Sequence, residues 1–344
     1  MPRIAVIIPA YNAAGTLAET LASASAQSLR DIEILVVSDG STDATVAIAN
    51  RARETDQRIR VIEQANAGVA AARNTGIAAS DSAFIAPLDA DDLWHPDKLK
   101  LQLARFDASD TRTGLVYNWY RAIDAASRVL WSAARPGLEG YVLHQHLVWN
   151  FVGNGSTPLI RREAFDGLAY EPELAARNAG GCEDWLLQLE ISRNWNFACV
   201  PAYLTGYRQG EGRMSTNILT MLRSYRETYG MIRQTARSSA GEFCNRGLAQ
   251  TRVREASHLA GRGRYAQAAG SYIAALVHSP TTTIATTREQ MRYIGKRVKR
   301  SNTGKVPPQS GLRFLEADPF SDTELWQPDP AMDHAARYDA ISGK

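Results

Sequence analysis

The chain has 344 residues, 44% of them hydrophobic, so it can bury a sizeable core and is expected to hold more than one domain. Its formal charge of +3 is too mild to point to nucleic acid, and no apolar run reaches the length that spans a bilayer. Three scattered cysteines, Cys182, Cys199 and Cys244, and no positively charged leader ahead of the first strand give the expectation of a cytoplasmic protein.

In chain order, residues 4–8 form a continuous apolar run, as expected of a parallel strand buried on both faces. The run ends at Pro9-Ala10-Tyr11-Asn12, and Thr16-Leu17-Ala18-Glu19 has the spacing of a capping box that opens a helix. Residues 32–37 predict a second buried strand, closed by Ser38-Asp39-Gly40-Ser41-Thr42-Asp43 before another helix. A short strand over 58–63 and an Ala-rich helix over 69–79 follow. The next strand ends in Asp89, Asp91 and Asp92, three carboxylates within four residues. Acids that close repel one another, and a hard divalent cation, Mg²⁺ or Mn²⁺, relieves the repulsion. A solvated turn before a helix would use the same residues, since Asp is common at caps. The strand–helix alternation with short loops predicts an α/β fold with a doubly wound, mostly parallel sheet. Polar residues recur at the carboxyl ends of its strands, where such sheets bind ligands.

Strands are predicted over 114–118 and 128–132, and a helix over 138–149 that includes His144 and His146. No Cys or acid at metal spacing accompanies the two histidines, which argues against zinc. Trp119, Trp149 and Trp185 could stack on a sugar or fill the core. The triplet Glu183-Asp184-Trp185 lies between a polar lead-in and an apolar helical stretch, which puts both acids in a first helical turn. The pattern Asn154-Gly155-Ser156 matches a glycosylation acceptor and is discounted for want of a secretory signal. Apolar residues at helical spacing predict a helix over 217–236, then a hairpin of helices over 248–260 and 265–277 that Ser279-Pro280 stops. A last helix over 286–300 is basic through Arg288, Arg292, Lys296, Arg297, Lys299 and Arg300, which suits a solvated face or an anionic membrane surface. From residue 301 onward, Pro, Gly and polar residues predict an irregular, mobile tail.

Five motifs together resemble family 2 inverting glycosyltransferases of the GT-A fold: Pro9-Ala10-Tyr11-Asn12, Asp39-Gly40-Ser41-Thr42-Asp43, Gly68 to Asn74, Leu88 to Asp92, and Glu183-Asp184-Trp185. The resemblance covers roughly the first two-thirds of the chain and implies a catalytic domain over 1–215, ahead of a helical region over 216–300 and the tail. It implies a nucleotide-sugar donor, most readily a UDP-sugar, and a glycan or lipid-linked glycan acceptor in cell-surface polysaccharide biosynthesis. Donor contacts fall to Pro9, Ala10, Tyr11, Asn12, Asp39, Arg73, Asn74, Asp89, Ala90 and Asp91. The divalent metal falls to Asp91 and Asp92, with the choice of direct ligand between them open. Asp184, with Glu183, would be the catalytic base of a single displacement, and Arg208, Arg213 and Ser215 would belong to a closing strand and loop. Gln209 departs from the family pattern, which often has a His there, and so leaves the last metal ligand open. The family's lipid-linked acceptors place the protein at the inner face of the cell membrane. A sugar-phosphate nucleotidyltransferase would carry a Gly-rich basic loop after the first strand, and residues 9–15 are not one. A non-catalytic carbohydrate-binding or scaffold module would not need the intact acids.

Overall fold

The structure is a computed structural model that describes residues 2–210, 217–236, 238–300, 312–320 and 330–342. The chain forms two compact units, one of Met1–Glu173, Glu183–Glu211 and Pro308–Lys344, the other of Leu174–Cys182 and Gly212–Pro307.

The first unit grows from β1 (Ile4–Ala10), every residue of which is buried. Strands β2 (Ile32–Asp39) and β4 (Phe84–Pro87) flank β1 and run parallel to it, and β3 (Ile59–Gln64) pairs parallel with β2. Helices α1 (Leu17–Ser25), α2 (Thr45–Thr55) and α3 (Val69–Ala78) connect these strands. The sheet continues through β5 (Leu93–Trp94), β6 (Thr113–Ile123), β7 (Val129–Ser132), β8 (Leu159–Arg161) and β9 (Asn196–Arg208), in the order β3-β2-β1-β4-β8-β6-β9-β5 with β7 beside β6. Strand β8 is antiparallel to both β4 and β6, so it joins the parallel half to the rest. Between these strands lie α4 (Lys98–Asp107), α5 (Leu143–Val148) and α7 (Glu183–Ile191), whereas the one-turn α6 (Glu173–Ala176) passes into the second unit at Leu174. Alternate side chains of β1 serve opposite layers. Ile4, Val6 and Ile8 pack in a core with Leu17, Leu21 and Leu99, whereas Ala5 and Ile7 pack in another with Ala70, Tyr117 and Phe151. Both faces of the parallel half are therefore covered, as its unbroken apolar strands require.

Three local expectations are corrected. Helix α1 begins where predicted, but no capping box closes it: the Thr16 hydroxyl donates to Ala90 O at 2.8 Å, and Glu19 accepts from Arg208 and Ser127 instead. The helix read over 138–149 is only α5, because Gly140, at a φ of 80°, pairs with Phe197 in an antiparallel bridge. The tail is not irregular throughout. Phe314 packs with Leu93, Ile123 and Val129, and α12 (Pro330–Ser342) places Asp339 on α5, where its carboxylate accepts from the His144 and Gln145 amides at 2.8 and 2.9 Å.

The second unit holds α8 (Ile218–Thr235), α9 (Ser238–Ala260), α10 (Tyr265–His278) and α11 (Pro280–Arg300), with α9 packed against the other three. Pro280 starts α11 rather than only stopping the hairpin, since the amide it lacks has no partner in a first helical turn. Glu255 ties these helices together through Arg226 at 3.0 Å and the Ser271 hydroxyl at 2.7 Å.

Candidate active site

The carboxyl ends of β1, β2 and β4 bring three loops to one edge of the sheet. Asn12, at a φ of 47°, accepts the Thr42 amide on Oδ1 at 2.8 Å, while Asp43 accepts the Ala14 amide at 3.1 Å. The loop after β1 is thus laced to the loop after β2, and Thr16 ties both to Ala90. Tyr11 stands on this edge with 56% of its surface exposed, so its ring face is open. Pro9 and Ala10 are buried strand residues paired with Val37 and Ser38. Asp39 is buried as well. Its Oδ1 accepts from Gln64 Nε2 at 2.7 Å and the Ala67 amide at 2.9 Å, and its Oδ2 accepts the Gly68 amide at 2.8 Å. Three of a carboxylate's roughly four lone-pair positions are taken by the turn into α3.

Helix α3 carries Arg73 into the centre. The guanidinium is buried and bridges two acids, Asp89 Oδ1 at 2.6 Å and Glu183 Oε1 at 2.8 Å, with the Tyr170 ring 5.0 Å from its carbon. Arg73 therefore meets carboxylates rather than open solvent, a pairing that the planar guanidinium fork suits. Asn74, expected at the donor, is fixed by Tyr170: its Nδ2 donates to Tyr170 O at 2.8 Å and its Oδ1 accepts the Tyr170 amide at 2.9 Å. Asp184 follows Glu183 on the first turn of α7 and remains partly accessible. Desolvation and the neighbouring Glu183 carboxylate push its carboxyl up to about 7, against the opposing pull of Arg73. Trp185 is buried and belongs to the core.

The acid cluster divides in two. Asp91 is partly exposed, but Asp92 is buried and turned inward, where Oδ2 accepts the Ser156 hydroxyl at 2.6 Å and Oδ1 accepts the Arg208 amide at 2.9 Å. Burial and the charge of Asp89 push the Asp92 carboxyl up to about 8. Asp92, expected at a metal, is held inward by Ser156 and Arg208 in this structure. Arg208, expected in a closing strand, is the buried last residue of β9. Its Nε donates to Asp91 O at 2.7 Å, its Nη1 to Asp124 O and Ala125 O, and its Nη2 to Glu19 Oε2 and Ser127 Oγ, so all five donors have acceptors inside the fold. Arg213 and Ser215 lie outside the described residues.

Four residues here were not assigned to the site from the sequence. Ser156 links Asp89 and Asp92, because its Oγ also accepts the Asp89 amide at 3.0 Å. Gly155 lies so close that a Cβ there would stand 2.9 Å from Arg73 Nη2. Tyr170 and Glu19 complete the sets around Arg73 and Arg208. Only the Asn154-Gly155-Ser156 pattern carried a local signal. Asn154 is buried, so no glycan could reach it.

Among the described residues no group of three His, Cys, Asp or Glu side chains could hold a metal by itself. One accessible carboxylate, that of Asp91, fits the way Mg²⁺ or Mn²⁺ takes one or two protein acids and completes its shell with substrate phosphates and water.

A family model described as glycosyl transferase family 2 matches residues 5–168. Residues 5–168 are thus a glycosyl transferase family 2 domain. Among curated glycosyltransferases, the chondroitin synthase of Pasteurella multocida strain Pm70 is 32% identical over 124 residues, which are 36% of this chain and 13% of that protein. The uncharacterised glycosyltransferase EpsJ of Bacillus subtilis strain 168 is 44% identical over 92 residues, 27% of each chain. The matched stretch is thus only 13% to 27% of the length of these two relatives. Among solved structures, S. aureus TarS 1-349 in complex with UDP-GlcNAc aligns with a TM-score of 0.61 at 16% identity, over 93% of this chain and 99% of that one. The mannosyltransferase PcManGT of Pyrobaculum calidifontis, in complex with GDP-Man and Mn²⁺, gives 0.58 at 18% identity, over 98% and 87%. These likenesses show that the chain has the GT-A fold.

Proposed function

We propose that the protein transfers a sugar from a nucleoside diphosphate donor to a hydroxyl of a glycan or lipid-linked glycan, with inversion at the anomeric carbon, in cell-surface polysaccharide assembly. The observation that carries this reading is the Arg73 cluster, where one buried guanidinium holds Asp89 and Glu183 beside the partly accessible Asp184, whose carboxyl is pushed up to about 7. A general base works best when its pKa is close to the working pH. On this reading Asp184 takes the acceptor's hydroxyl proton as that oxygen attacks, while the nucleotide leaves from the opposite face. Tyr11 offers its open ring to the base, the remaining lone pair on Asp39 reads the base edge, and the outer face of Asp89 meets the ribose. Asp91 would hold the divalent cation together with the diphosphate, and when bound the ion neutralises charge on the leaving group.

A UDP-sugar is the first donor to test, since one fold neighbour is described with UDP-GlcNAc and another with GDP-Man and Mn²⁺. The same reading includes attachment to an anionic membrane at the cytoplasmic face, supported by the basic residues of α11. No helix among the described residues is long and apolar enough to cross a membrane.

The test is a thermal-shift screen of UDP-, dTDP- and GDP-sugars with and without Mn²⁺ or Mg²⁺, followed by nucleotide release with the hits. A bound donor raises the melting temperature by mass action, so one class of base is expected to stand out and to gain from the cation. If no nucleotide sugar moves the transition, or if pyrophosphate appears from a nucleoside triphosphate and a sugar phosphate, the reading is overturned.

A further inference from the structure

Helix α10 carries no Asp, Glu, Lys or Arg along its whole length, and its outer side is as apolar as its inner one. Ala268, Ser271 and Ala275 face inward and are buried. At 100° per residue, Ala266, Ala269, Ile273 and Val277 fall on the opposite side. Ile273 is 62% exposed and Val277 79%, and Tyr265 at the start of the helix is 71% exposed. A helix apolar all round is ordinarily covered on every side. Fourteen residues make about 21 Å of helix, too short to cross a bilayer.

We propose that this outer face of α10 inserts shallowly into the surface of an anionic lipid bilayer, with the helix axis in the membrane plane. Charge selects this occupant. Residues 256–300 hold eight Lys or Arg and one acid, Glu289. Anionic headgroups complement that segment, whereas a second copy docked face to face would set like charges together. Tyr265 follows Arg262 and Arg264, so a ring with a polar tip stands beside two cations at the helix entrance, the pairing that suits headgroup depth. The proposal rests on the membrane-attachment reading above and adds to it: that reading needs only charge, and this one needs apolar contact.

The test uses the full chain with phosphatidylcholine vesicles, with or without phosphatidylglycerol. Wild type is expected to co-sediment with the anionic vesicles, and Ile273→Asp combined with Val277→Asp to weaken this by about tenfold or more with an unchanged circular dichroism spectrum. Val277→Cys bearing an environment-sensitive dye is expected to shift to the blue on anionic vesicles, and this arm decides should the double variant fail to fold. Equal binding of wild type and variant, or an unmoved dye on bound protein, overturns the proposal while leaving attachment by charge intact. No vesicle binding by wild type overturns both. A concentration-dependent mass in light scattering that the double variant abolishes would assign the face to a second copy and also overturn the proposal.

Discussion

Arg73 holds acids from segments 16 and 110 residues away, and that arrangement sets the charge seen by Asp184. Arg73→Gln is expected to leave Glu183 and Asp89 without their counter-charge, to lower turnover by about tenfold or more, and to move the acid limb of the pH–rate profile upward, since the guanidinium favours the ionised Asp184. Arg73→Lys keeps the charge without the fork and should shift the limb less. A profile that stays in place in both variants would show Arg73 to be structural only. A second consequence concerns stability. Because the Asp184 carboxyl is raised from 3.8 to about 7 in the folded state, its contribution is fully present below the lower value and is lost as pH rises through the upper one. Asp184→Asn removes that loss. Its melting temperature relative to wild type is therefore expected to rise between about pH 5 and pH 8, and calorimetry at both ends checks it. At this scale the acids were legible in the sequence because each sits in a local motif. What each acid touches was not, because the partners of Arg73 and Asp92 come from distant turns with no pattern of their own.

Between elements, Arg208 on β9 joins α1, the loop carrying Asp91 and the turn after β6 through acceptors on three segments. Arg208→Ala should cost on the order of 3 kcal/mol in urea denaturation, because it strands buried carbonyls. Glu19→Gln should cost well under 1 kcal/mol, since that carboxylate is about half exposed. Comparable losses in the two variants would contradict the assignment of Arg208 as a five-bond hub. The same network explains the missing capping box: Thr16 and Glu19 have the spacing, but Ala90 and Arg208 offer tertiary partners that outcompete the local bonds. On α12, Asp339→Ala should remove the cap of α5 and lower stability by about 1–2 kcal/mol. Nothing near Asp339 in the sequence announces that contact, because its partner His144 lies 195 residues away.

For the whole molecule, the parallel half was the most readable part. Continuous apolar strands such as residues 4–8 and 32–37 admit few structures other than a sheet covered on both faces. Strand β5, with two residues, carries too little pattern to be seen, and a strand ending at Ile160 was legible although nothing in the sequence shows that β8 is the antiparallel link that joins the halves. The helices after residue 217 were legible by period, whereas the exposure of α10 emerged only once its buried side was known. The account as a whole turns on Asp184 acting as a base toward an acceptor held beside a bound donor. The most direct measurement is the sugar-transfer rate of Asp184→Asn alongside its donor affinity, with the donor that the screen identifies. Turnover is expected to fall by about 10²- to 10⁴-fold with donor affinity nearly unchanged. Turnover close to wild type would contradict it.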